Sequence, residues 1–229
     1  MGRPASAFGC LWACNAVTMI SSWPLLQDRV ARCIRCRTEL PDLRVECPPG
    51  VLYPPGIAPP ASVRVLFVAV APPKTGRHFY TDPSDNLRRG VLDILRQIGR
   101  PCSGVRDFIE RGFFLIHTAK CAIRGTSEPN LRVSKLCAST HLCDEIEHLA
   151  PDGICFLSKK IGVPIAVSLL PRWGAPKNVL PFGEVVPLLV RGRPVQAIGT
   201  TWPGRAVHMP PAKGHVQVLF SRLRVPTWD

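Results

Sequence analysis

The sequence predicts an α/β domain on a central, mostly parallel sheet, and three observations carry that expectation. Apolar, β-branched runs alternate along the chain with segments of helical periodicity, the order expected when helices cover the sheet faces. The first run, 63–70, is apolar nearly throughout, as a strand buried on both faces of a parallel sheet must be. At 229 residues and 46% hydrophobic content the chain can bury one sizeable core, and no internal repeat divides it.

Taken in order, residues 1–25 read as an extension whose place in the domain is undefined. No charged residue falls between Pro4 and Gln27, and 8–20 resembles a weak signal region behind Arg3. Asn15 interrupts that stretch and Pro24 breaks the only candidate membrane span, so neither secretion nor membrane insertion is expected. A reading frame that truly begins at Met19 accounts for the segment equally well.

The domain proper is read as 26–229. A helix is expected around 26–36, and the proline-dense stretch 48–60 reads as an extended connector. After the 63–70 strand, Ser84 or Asp85 can cap a helix that sets Leu87, Val91, Leu95 and Ile98 on one face and stops at Gly99. A strand at 113–118 and a helix at 135–149, stopped by Pro151, come next. Strands at 154–157, 185–190 and 195–200 and a closing helix at 215–223 complete the layers. Three layers result, helices on either side of the sheet, with ligand chemistry expected at the carboxyl ends of the strands.

Charge and cysteine content restrict the function classes. Twenty-nine Lys and Arg against sixteen Asp and Glu leave a net charge of +13, scattered along the chain. A phosphate-rich partner is the physical reading, since each neutralised phosphate releases counterions; a generally cationic surface is the plainer alternative. Of ten cysteines, Cys33, Cys36, Cys121 and Cys137 form a close pair, a long gap and a second pair. That spacing reads as one metal cluster tying distant segments together. Four thiolates over so long a span favour a 4Fe-4S cluster over zinc, whose modules pack their ligands closely, with four buried thiols as the plain alternative. Thiols kept as ligands imply a reducing compartment, cytoplasmic and nucleoid-associated if the source is bacterial. Cys143 and Cys155 sit in apolar settings where cysteine serves as a small core residue, and Cys10, Cys14, Cys47 and Cys102 have no assigned role.

Each expected strand end carries an unusual loop: Ala71-Pro72-Pro73-Lys74-Thr75-Gly76-Arg77-His78-Phe79, then His117-Thr118-Ala119-Lys120-Cys121, then Thr200-Thr201-Trp202-Pro203-Gly204-Arg205. With the cysteine frame, the Thr-Gly-Arg-x-Phe run, the Lys-Cys at the third ligand and a Trp-Pro-Gly in place of His-Pro-Ser, the chain resembles the uracil-DNA glycosylase superfamily. Its iron–sulfur families 4 and 5 are the nearer ones, and the resemblance covers roughly 26–223.

The resemblance implies a monomeric enzyme that flips a deaminated base out of DNA and hydrolyses its N-glycosidic bond. It makes Phe79 the aromatic that stacks the base, though an ordinary core phenylalanine is the bland reading. It gives Gly76 the close backbone approach and sets Val70, Ala71 and Pro72 along the first motif loop. Family 4 carries a Glu where this chain has Val70. Family 5 is apolar there and places an Asp where Asp82 falls, so Asp82 is the candidate to orient water; a turn residue before Pro83 is the equal alternative. Trp202 replaces the base-polarising His of the second motif, and an indole cannot act as an acid. His117 stands at the base-reading Asn of family 4, with a buried structural histidine as the other reading. Lys74, Arg77, Arg205, His208 and Lys213 are expected against the DNA backbone, with a solvated basic loop as the alternative. Loss of the motif residues also leaves open a non-catalytic DNA- or nucleotide-binding protein.

Overall fold

A computed structural model of the protein describes residues 22–43, 45–46, 56–73, 78–123, 127–173 and 180–228. Four strands run parallel: β2 (Val65–Ala69), β3 (Phe113–His117), β5 (Gly153–Leu157) and β7 (Arg193–Thr200). β6 (Val185–Val190) joins β7 antiparallel at one edge, giving the order β3-β2-β5-β7-β6. The antiparallel edge follows from the tight turn at Arg191 and Gly192, both with positive φ (51° and 76°), the pair of conformations a two-residue hairpin needs. β6 tolerates Pro187 because it lies at the sheet edge. Every residue of β2, β3 and β5 is buried, which explains their unbroken apolar runs.

Helices flank the sheet. Gly153 of β5 lies so close to Leu223 and Leu219 that a β-carbon would come within 2.4 Å of Leu223, and this marks the face covered by α8 (Met209–Arg222). Gly199 of β7 is pressed by Val163, at the start of α7 (Val163–Leu169), with 2.5 Å left for a β-carbon. Gly153 pairs with Gln196, so Gly199 points to the opposite face, and α7 and α8 lie on opposite sides of the sheet.

The expected helices form with shifted ends. Asp85, rather than Ser84, caps α3 (Asn86–Gln97), accepting the Arg88 N–H at 2.8 Å. Gly99 sits just beyond with φ +73°. The helix expected at 26–36 is two pieces, α1 (Trp23–Ala31) and α2 (Arg35–Glu39). The helix expected at 135–149 starts earlier as α5 (Ser127–Cys137), passes through a π-helical turn at Ala138–Leu142 and resumes as α6 (Cys143–Leu149). α8 starts six residues before the expected His215, with Pro210 and Pro211 in its first turn, where a missing N–H costs nothing. The short α4 (Val105–Glu110) and α7 were not anticipated. Nor was a two-stranded ribbon of β1 (Val45–Glu46) with β4 (Ala122–Ile123), which ties the segment after α2 to the chain after Cys121. Residues 1–21 and most of the connector, 47–55, lie outside the described residues. Among the described residues no helix is long and apolar enough to cross a membrane.

Candidate functional site at the strand ends

The carboxyl ends of β2 and β3 are zipped one step past the sheet. Thr118 and Ala119 donate their N–H groups to the Ala69 and Val70 carbonyls at 2.7 and 2.8 Å, and the Thr118 hydroxyl also donates to Val70 O. This holds Val70 and Ala71, half-buried, and Pro72, buried, beside the chain that leaves β3. Lys74, Thr75, Gly76 and Arg77 lie outside the described residues.

His117 ends β3, paired with Ala69, and is 2% exposed. Burial, then the Lys120 ammonium and His78, hold its imidazole well below the ordinary histidine value, so the ring is neutral. Its Nδ1 has no hydrogen-bond partner among the described residues. The His78 ring stands edge-on to it, centroids 6.4 Å apart. A neutral imidazole can offer one N–H to a carbonyl, but it is not a store of positive charge.

Behind His117 lies a buried ion pair. Lys120 is 2% exposed and Glu145 0%. The Lys120 ammonium meets the Glu145 carboxylate and also donates to the His117 carbonyl. Glu145 has no further hydrogen bond among the described residues, and burial pushes its carboxyl upward against the opposing pull of Lys120. One turn earlier on the same helical face His141 is buried with both ring nitrogens unpartnered among the described residues.

The cysteines adjoin Lys120, whose neighbour Cys121 is one of them. Cys36, Cys121 and Cys137 share one buried apolar pocket with Ala119 and Val133. Cys36 Sγ and Cys137 Sγ are 3.9 Å apart. Hydrogen bonds from Cys121 and Cys137 lower the Cys36 thiol to about 4, while Cys137, as donor to Cys36 and buried, is pushed well above the usual thiol range. The Lys120 backbone N–H also reaches the Cys137 sulfur. Cys33 is half-buried just before α2, and among the described residues its thiol hydrogen-bonds to none of the other three.

The donor chemistry therefore suits a thiolate-bound cation: the neighbouring thiols favour the ionised form of Cys36, and a bound metal would take the protons of the others. Ligand geometry is another matter. Among the described residues no group of three or more His, Cys, Asp and Glu side chains is assembled as a ready metal site.

The remaining candidates divide. Phe79 is 1% exposed and packs against Tyr80 and Phe108, ring centroids 5.1 Å from each, so it is a core aromatic here. Asp82 accepts from the Ser84 N–H at 2.8 Å and from the Ser84 hydroxyl at 2.7 Å, which makes it a turn residue whatever else it does. Tyr80, which sequence reasoning passed over, donates its hydroxyl to Leu115 O at 2.8 Å and accepts from Leu115 N–H at 2.7 Å. It thereby completes the ladder on the outer side of edge strand β3.

Across the sheet, Trp202 is half-buried, and its ring folds onto Gly204 so closely that a β-carbon there would lie 2.3 Å from the indole. That contact is the physical reason for glycine in Trp-Pro-Gly. The Thr201 hydroxyl donates to His208 O at 2.9 Å and closes the loop, leaving Arg205 exposed and His208 and Lys213 half-buried. Ser158, directly after β5, holds φ 93°, a strained conformation for a residue with a side chain, and no sequence signal pointed to it.

No protein-family model matches the chain, and no curated protein matches it.

Proposed function

We propose that the protein is a DNA glycosylase of the iron–sulfur type, flipping a deaminated base such as uracil and hydrolysing its N-glycosidic bond at the carboxyl ends of β2, β3 and β7. The observation that carries the reading is the convergence of Cys36 with Cys121 and Cys137, Cys36 and Cys137 standing 101 residues apart in sequence, in one buried pocket on the chain that leaves β3. In this reading the fold is the three-layer sandwich of the resembled superfamily, with Cys33 as the fourth ligand. A 4Fe-4S cluster would supply a rigid cross-link between α2, α5 and the chain after β3 rather than a chemical step.

The chain's own groups do the rest. His117, neutral and with Nδ1 unpartnered among the described residues, presents a hydrogen bond to a base carbonyl in a buried site where such a bond is strong. Trp202 is half-buried at this end whereas Phe79 is packed in the core, so the stacking role falls to Trp202 in place of Phe79. Asp82 would orient water and stabilise positive charge on the sugar, giving up part of its turn capping to do so.

A non-catalytic DNA- or nucleotide-binding protein is the second reading, favoured by the engagement of Asp82 with Ser84. Alkali-induced strand nicking on duplexes containing uracil, hypoxanthine or xanthine separates the two. Cleavage of any one supports the enzyme, and binding without cleavage of any supports the second reading. Zinc is the competing metal. The 3.9 Å separation of two sulfurs is close to the ~3.8 Å of thiolates sharing one tetrahedral ion at about 2.3 Å. Anaerobically purified protein should be brown with broad absorption; colourless protein with one zinc per chain would replace the cluster by that ion.

A further inference from the structure

Between α3 and the loop after Trp202 runs an open groove of about 560 Å³. Its floor is backbone against backbone: a β-carbon on Gly90 would lie 2.2 Å from Pro203 O, so only glycine lets helix and loop meet this closely. One wall carries Arg89 and Arg96, the other Arg205. Arg89 is exposed, and among the described residues its guanidinium binds only the neutral Asn86 amide oxygen, at 2.5 Å. Arg205 is exposed and has no ion-pair partner among the described residues. Arg96, seven residues or about 10 Å along the helix from Arg89, is 71% exposed and shares Asp93 with Gln97. Three guanidinium groups against one carboxylate leave the groove cationic.

We infer that this groove carries the sugar–phosphate backbone of the bound DNA strand on its way out of the base site. This rests on the proposed glycosylase reading for the location of that site and adds the path of the strand, with Arg89 and Arg96 as contacts no sequence motif indicated. Three features argue for a polyphosphate chain over a small anion. The groove is open, its cations line two walls rather than converging on one point, and guanidinium forks match phosphate oxygens in pairs. Its position gives the direction. One wall follows the turn that holds Phe79 and Asp82, and the other follows Trp202, so a strand whose base lay between those loops would enter the groove next.

The test is binding of an undamaged DNA duplex over a salt series, by fluorescence anisotropy. It uses wild type, Arg89→Gln, Arg96→Gln and Arg205→Gln. Arg106→Gln serves as the control, its side chain 91% exposed and set in a different depression of the surface. Each groove variant should lower the slope of log K against log salt by about 0.9, one phosphate contact each, and weaken all sequences alike. Thermal unfolding of the variants should match wild type, which separates lost contacts from lost folding. Groove slopes equal to the control would overturn the inference, and excision of a damaged base by wild type would then leave the glycosylase reading standing. Groove-dependent slopes in a wild type that excises nothing would sustain the strand path and sink the glycosylase. Equal competition by polyglutamate at matched charge would also overturn it, since the groove would then be a general polyanion surface.

Discussion

The two sides of this strand-end crown are built on opposite principles. Around β2 and β3 the polar groups are sealed: His78, His117, Lys120, His141 and Glu145 are all at most 2% exposed. Around β7 and α3 they are open, with Arg89 and Arg205 in solvent on either side of the close Gly90–Pro203 contact. The sealed side fixes protonation states and positions by burial, so changes there are felt by the fold. The open side leaves its charges in solvent, and single changes there should stay within about ±0.5 kcal/mol of wild-type stability.

The sharpest way to break that contrast is to remove one member of the Lys120–Glu145 pair. Lys120→Met strands a carboxylate with no other hydrogen bond among the described residues and should cost about 3–5 kcal/mol in urea unfolding. The double variant Lys120→Met/Glu145→Leu leaves no buried charge and should recover most of that loss. If the double variant is no more stable than the single, the pair is not an isolated interior unit and the sealed side opens to water.

A smaller effect tests the edge. Tyr80→Phe deletes the hydroxyl that serves both the N–H and the C=O of Leu115, leaving two backbone groups of β3 without that partner. A loss of about 1–3 kcal/mol is expected, together with faster amide exchange at Leu115. Unchanged exchange would show that water reaches this edge already.

Much of the scaffold was legible because burial on both faces writes itself into composition. The apolar runs of β2, β3 and β5 follow from complete burial, and Asp85 and Gly99 bracket α3 as their conformational preferences require. The hairpin that reverses β6 was written in Arg191-Gly192 but is a weak signal beside the run it joins. The site was legible in part. Three of the four cysteines meet, yet His117 is neutral, Phe79 is core and Asp82 is turned to Ser84, because a motif position does not specify which way a side chain packs. The pairings of Lys120 with Glu145 and of Tyr80 with Leu115 were not legible for a related reason: the partners lie 25 and 35 residues away, and no local pattern encodes a pairing over that distance. The π-helical turn at Ala138–Leu142 likewise looks helical in sequence, since one inserted residue leaves the periodicity on either side intact.

The last expected effect is the smallest and isolates one buried ring. Burial first, then the charges of Lys120, Arg29 and Arg35, bring His141 down to about 3 from the usual 6.5. The unfolded chain therefore takes up a proton that the folded one refuses, so this contribution to stability is complete above pH 6.5 and is lost as pH falls. Between pH 7.5 and pH 5.5 the loss is about 1.4 kcal/mol, whatever the folded value, provided it stays well below 5.5. His141→Leu cannot take that proton and should lose less stability by this amount over the same interval. His117, His148 and His215 are also held below the ordinary value, so the readout is the difference between variant and wild type rather than either curve alone. Parallel curves would mean that His141 is protonated in the folded protein at pH 5.5, which requires water or Glu145 to reach its unpartnered nitrogens and would move the boundary of the sealed region outward past α6.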